Sequence, residues 1–200
     1  MNRRVFALSM VFLALPLLTL ALAQGPRGDL WKKVDEAMSK GLPRTAIEAL
    51  EPIYAAAMKD KNYPEAIKAL TKKISLEGNI QGNKPEEKIY RLKAAIPKTP
   101  VEMQPVLDAL LANWHWHFFQ QNRWRFVRRT ATAEAPGEDI LARDLPRVMA
   151  EVDKIFTRAL LHEKVLKNTP IADYNDLIDK GNVPDRYRPT LWDFLVYNAL

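Results

Sequence analysis

Apolar residues recur every three or four positions along most of the chain, the spacing of helices that bury one face. Asp29 can cap a first helix carrying Leu30, Trp31, Val34, Ala37 and Met38, and Gly41 ends it. Pro43 suits the first turn of a second helix, continued by Ile47, Leu50, Ile53, Tyr54 and Ala57, with a local kink or break at Pro52. Pro64 opens a third in the same way, with Ile67, Leu70 and Ile74. Ala46-Ile-Glu-Ala-Leu50 recurs twenty residues later as Ala66-Ile-Lys-Ala-Leu70. That echo points to stacked antiparallel helix hairpins of the tetratricopeptide type.

Two Gly and two Asn make 77–84 a loop, and 85–96 returns to helical spacing through Ile89, Leu92 and Ile96. Thr99-Pro100 then starts the longest helix. Met103, Leu107, Leu110, Trp114 and Phe118 form one stripe on it, and Ala109, Ala112, Trp116 and Phe119 a second, so it is a central helix. Residues 130–139 form a loop. Beyond it Leu145, Val148, Met149, Val152, Ile155, Phe156 and Leu160 give the cleanest amphipathic helix. Segment 189–200 is a last helix with Leu191, Phe194, Leu195 and Ala199 on its apolar face, and it is expected to continue past Leu200. No segment alternates as a strand does, so the predicted fold is all-α with no sheet.

Composition fits one ordinary domain: 200 residues, 48% hydrophobic. Part of this is an export signal over 1–23, with basic Arg3 and Arg4, an apolar run from Val5 to Leu20 and a small-x-small end at Ala21-Leu22-Ala23. Cleavage before Gln24 leaves 24–200 as a helical region in the periplasm, cell envelope or medium, with no stable membrane span. The chain has no Cys. Lipid attachment through Cys and a disulfide framework are therefore excluded, and stability must come from helix packing. The formal charge of +6 falls to +4 once Arg3 and Arg4 are removed. The charges are dispersed, which fits a solvated helical surface, and export removes nucleic acid from reach.

The sequence points to no catalytic, cofactor or metal site. His115 and His117 are roughly 200° apart on a helix and His162 belongs to another, so they do not form a ligand set. The serines after the leader, Ser39 and Ser75, lack a nucleophile elbow, and there is no Gly-rich phosphate loop. Paired acids such as Asp35 with Glu36, or Glu86 with Glu87, read as solvated helix faces.

Phe119-Gln-Gln-Asn-Arg-Trp-Arg-Phe-Val-Arg-Arg-Thr130 is denser in chemistry, and it follows Trp114-His-Trp-His-Phe118 directly. Four Arg interleaved with Trp124 and Phe126 would grip an anionic partner or stack on single-stranded nucleic acid. The reading preferred on sequence is packing. Trp124 and Phe126 then belong to the buried stripes, while Arg123, Arg125, Arg128 and Arg129 pair with acids such as Glu134, Glu138 or Asp144.

With Arg188-Pro-Thr-Leu-Trp-Asp-Phe-Leu195 and the helix start Asp144-Leu-Pro146, this segment resembles the helical N-terminal region of bacterial alpha-2-macroglobulin-like proteins, over about 30–200. The β-sandwich macroglobulin domains, the bait region and the Cys-Glu-Gln thioester segment of that family are absent. The resemblance implies an exported, non-catalytic module of a protease-trapping inhibitor, positioned against downstream macroglobulin domains or envelope proteins. It implies no inhibition by this segment alone. A free-standing exported helical-repeat interaction module is the alternative.

Overall fold

The computed structural model describes residues 27–80, 82, 84–129, 137 and 139–199. The leader over 1–23 and most of the 130–139 loop lie outside the described residues.

The protein is all-α. Its helices are α1 (Gly28–Ser39), α2 (Pro43–Lys59), α3 (Tyr63–Ile80), α4 (Glu87–Ala95), α5 (Gln104–Val127), α6 (Leu145–Leu160), α7 (Glu163–Lys167) and α8 (Leu191–Ala199). Short 3-10 turns cover Ile96–Lys98, Ile140–Ala142, Ile171–Tyr174 and Asp185–Tyr187. Among the described residues there is no sheet; extended pairing is limited to one isolated antiparallel bridge, Pro170 with Thr190.

Helices pack pairwise, α1 on α2, α2 on α3 and α5 on α6. Three-residue connections force the first two pairs to run back on themselves. The two connections share one geometry. After α1, Gly41 N–H donates to Met38 O and Leu42 N–H to Ala37 O; after α2, Lys61 N–H donates to Met58 O and Asn62 N–H to Ala57 O. Each turn places one residue in the left-handed region, Gly41 at φ 67° and Lys61 at φ 56°. The twenty-residue echo therefore extends from the Ala46 and Ala66 segments back into the turns, where Ala37-Met38 corresponds to Ala57-Met58. Ala46 and Ala66 are both fully buried at the matching position.

Several boundaries differ from those expected. Asp29 does not cap α1, which starts at Gly28; Arg27 O accepts from the amides of Leu30 and Trp31 instead. Pro52 neither breaks nor ends α2. It lies on the exposed side, where water can reach a carbonyl that the missing N–H leaves open. α3 runs on to Ile80, four residues into the expected loop. Gly78 permits this, because a Cβ there would come within 3.2 Å of the Lys88 amide nitrogen. α5 begins at Gln104 rather than Thr99, after a turn in which Thr99 Oγ1 donates to Ile96 O at 2.7 Å.

Two apolar cores result. A small one joins α1, α2 and α3 through Val34, Leu50, Ile53 and Leu76. A large one surrounds α5 and takes in Leu107, Leu110, Trp114 and Phe118 with Val148, Ile155 and Phe156 of α6 and Leu191, Phe194 and Leu195 of α8. Tyr54 packs against both. α5 is the axis of the fold, buried along both of the stripes read from sequence except at Trp116, which is only partly buried.

Candidate functional site

The sequence places most of its polar and aromatic chemistry on α5, and that helix carries three distinct environments. Its C-terminal turns reach the surface. Phe126 is 1% exposed and stacks with Phe119 at 6.1 Å between ring centroids, closing the aromatic end of the core. Trp124 is 72% exposed. The expectation that it anchors the core is overturned, because two residues on a helix is about 200° of rotation, so Trp124 and Phe126 face opposite ways. Arg129 is structural, donating from Nη1 to Leu141 O at 2.6 Å. Arg123, Arg125 and Arg128 are exposed and make no ion pair among the described residues. Glu134 and Glu138, two of their expected partners, lie outside the described residues. Asp144, the third, is buried and committed to capping α6, where it accepts from the amide of Arg147 at 3.1 Å. Gln120, Trp124 and Arg128 fall on one exposed stripe with Val127 and Gln121 beside it.

The middle of α5 carries a docked loop. Asn113 and Trp114 hold the 175–183 segment: Trp114 Nε1 donates to Leu177 O at 2.8 Å, Asn113 Nδ2 donates to Asp179 O at 3.4 Å and Asn113 Oδ1 accepts from Asp179 N at 3.2 Å. Lys88 sits 5.0 Å from the Trp114 ring centre, and burial lowers its pKa. Arg188, 3% exposed, secures the far end of the loop. Its Nη2 donates to Lys180 O at 2.6 Å and Val183 O at 3.0 Å, and its guanidinium packs on Phe194 and Tyr197. Thr190 and Asp193 then cap α8 reciprocally. The Arg188–Leu195 segment thus works as a clamp between loop and helix.

His117 Nδ1 lies 3.1 Å from Asp179 Oδ2, and Ser75 lines the same cavity of about 480 Å³. This triad-like set does not assemble a nucleophile. His117 Nε2, the atom that would take a hydroxyl proton, is 2.6 Å from the Gln121 amide, and Ser75 makes no hydrogen bond with His117.

His115 occupies the third environment, on the α6 side. It is 4% exposed, and neither ring nitrogen has a hydrogen-bond partner among the described residues. Burial lowers its pKa from 6.5 to about 4, leaving it neutral at neutral pH. His162, the residue that precedes α7, stands 4.0 Å from Asp108 instead. The three histidines are thus separate, and among the described residues no group of three His, Asp or Glu is placed to hold a metal. Of the paired acids, Glu87 is bound to Arg91 at 3.0 Å.

Two polar nodes had no sequence signal. Arg27, 7% exposed, donates from Nε to Glu65 at 2.8 Å and from Nη1 to Asp60 at 2.7 Å, and Trp31 Nε1 donates to the other Glu65 oxygen at 2.8 Å. Its hydrogen bonds hold the Glu65 carboxyl below the usual range. Arg158 of α6 reaches Asp108 of α5. Both join residues distant in sequence, so only the folded chain brings them together.

The chain matches no protein-family profile, no curated protein and no solved structure.

Proposed function

We propose that this chain is a non-catalytic protein-interaction module built from stacked helix hairpins, and that the C-terminal turns of α5 dock an acidic segment of a protein partner. The observation that carries this reading is the exposure of Trp124 among three Arg that have no acidic partner among the described residues. A large aromatic ring left in water beside planar cations is the composition of interface hot spots. Carboxylates suit the Arg forks, and the Trp face suits the aliphatic or aromatic residue between them. The matched turns at Gly41 and Lys61 support the hairpin-array description of the N-terminal helices.

Export by the 1–23 leader, and placement ahead of macroglobulin domains in a protease trap, belong to this proposal as extensions. They rest on the sequence segments alone. Mass spectrometry of the secreted chain checks the first, with Gln24 as the expected N-terminus.

The docking reading is tested by fluorescence anisotropy with a labelled Glu- and Leu-rich peptide and a Gln-substituted control. Wild type should bind the acidic peptide only. Trp124→Ala and the pair Arg125→Gln with Arg128→Gln should each weaken binding without shifting the melt. Equal binding by wild type and these variants overturns the proposal, as does tighter binding of a single-stranded oligonucleotide than of the acidic peptide at physiological salt.

A further inference from the structure

A cavity of about 150 Å³ lies where α4, α5, the Ile140–Ala142 turn and α6 meet, and Tyr90, Lys93, His115, Arg143 and Glu151 supply its polar lining. The imidazole at its inner wall is the unusual feature. Both His115 nitrogens are buried without a partner among the described residues, so the ring forfeits the hydrogen bonds it makes in water. Folded proteins rarely leave such a group uncompensated unless something else fills the space.

The charge around the cavity selects the sign of that occupant. Two cations, Lys93 and Arg143, face one carboxylate. Glu151 is already engaged, with Lys93 Nζ at 2.8 Å from one oxygen and Arg143 Nη1 at 4.0 Å from the other. At 4.0 Å Arg143 makes no hydrogen bond to Glu151, and its donors have no other acceptor among the described residues, although its side chain is only 17% exposed. Tyr90 Oη accepts the Ile140 amide at 2.7 Å and donates to Asp139 Oδ1 at 3.4 Å, so its hydroxyl is already in use. Ala94 and Ile140 contribute aliphatic wall. The volume equals the share of about five water molecules in the liquid, the scale of a short-chain acid.

We propose that this cavity binds a small carboxylate, its oxygens held by Arg143 and Lys93, its body against Ala94 and Ile140, and its remaining polar contact made by His115. Lys93 is 47% exposed and lines the cavity, so a small molecule can enter beside it. The site is separate from the Trp124 face and does not depend on it.

The chain has three His, so the ring proton signals of His115, His117 and His162 can be followed together in the full mature protein by NMR. Titration with butyrate should move His115 saturably and leave His117 and His162 in place. Butyramide, which has the same shape without the charge, should bind at least about tenfold more weakly, as should butyrate to Arg143→Gln. Lys93→Gln, at a half-exposed position that tolerates substitution, gives the same test if Arg143→Gln does not fold. The proposal is overturned if butyrate shifts all three histidines alike, if butyramide or inorganic phosphate moves His115 as readily as butyrate, or if whichever variant folds binds butyrate as wild type does.

Discussion

Arg158 of α6 donates from Nη2 to Oδ1 of Asp108 on α5 at 2.6 Å, and the side chain of Asp108 is 5% exposed while that of Arg158 is 44% exposed. The pair is asymmetric. Burial raises the Asp108 pKa, and the charge and hydrogen bond of Arg158 offset only part of that rise. Removing Arg158 therefore strands a buried acid, whereas removing the acid strands only a cation that water can reach. Arg158→Ala should cost about 1–3 kcal/mol in denaturant melts, below the figure for a wholly buried pair because the guanidinium side is wet. Asp108→Asn should cost less than Arg158→Ala. The reverse order would mean that the pair, not the buried carboxylate, sets the energetics.

The two aromatic residues at the end of α5 should separate cleanly. Phe126→Ala opens a cavity at the close of the core and should cost about 3–5 kcal/mol. Trp124→Ala removes an exposed ring and should stay within about 0.5 kcal/mol of wild type. Equal losses in thermal melts would place Trp124 in a contact that the fold does not show.

How far the sequence leads is visible in these same residues. Helical period alone placed Leu107, Leu110, Trp114 and Phe118 in the core, and all four are buried. On α6 it places Val148, Val152, Ile155 and Phe156 in the core, with Leu145 and Leu160 partly buried beside them, but Met149 is 37% exposed and the buried Ala159 is not on the expected stripe. At Trp124 composition and phase point in opposite directions: the aromatic content suggests core, but Trp124 and Phe126 cannot share a buried face at helical geometry. Arg188 clamps the loop, a role that no spacing within 188–195 reports, and Thr190 with Asp193 caps α8. In the sequence His115 stands out only beside His117, as half of a possible metal pair. Its actual surroundings come from α4 and α6, which no spacing within α5 can report. Arg27 with Glu65 and Asn113 with Asp179 are likewise products of tertiary contact.

The paired turns supply a stabilising substitution. Gly41 and Lys61 occupy equivalent places after α1 and α2, both at positive φ, but only Gly41 is free of the Cβ clash that this conformation brings. Lys61→Gly should relieve that strain. The extra freedom of glycine in the unfolded chain offsets part of the gain, leaving about 0.5–1 kcal/mol of added stability. A melt unchanged or lowered by Lys61→Gly would show that the lysine side chain contributes more to this turn than its backbone costs.

Acidification should change the stability of the protein over two pH windows of different origin. His115 is held neutral by burial, with Glu151 pulling its pKa up and Lys93, Arg143 and Arg158 pushing it down, so its folded value of about 4 lies below the ordinary 6.5. Between those values the unfolded chain binds the proton and the folded chain does not, so stability falls as pH drops through this window and levels off below it. The full difference corresponds to about 3 kcal/mol. Glu65, whose pKa is lowered by its hydrogen bonds to Arg27, loses its contribution further down, as pH falls through and below the carboxylate range. Asp108 works in the opposite direction there, since its raised pKa means that protonation relieves a buried charge. Of these three groups, only His115 has a window that reaches above the carboxylate range. His115→Leu should therefore flatten the slope of stability against pH between about 6.5 and 4 while leaving the lower limb intact, measured by urea unfolding in a buffer free of carboxylates, which the proposed cavity would bind. If the variant keeps the wild-type slope, the imidazole is not held neutral by its burial, and the unpartnered nitrogens that motivate the ligand site would need another explanation.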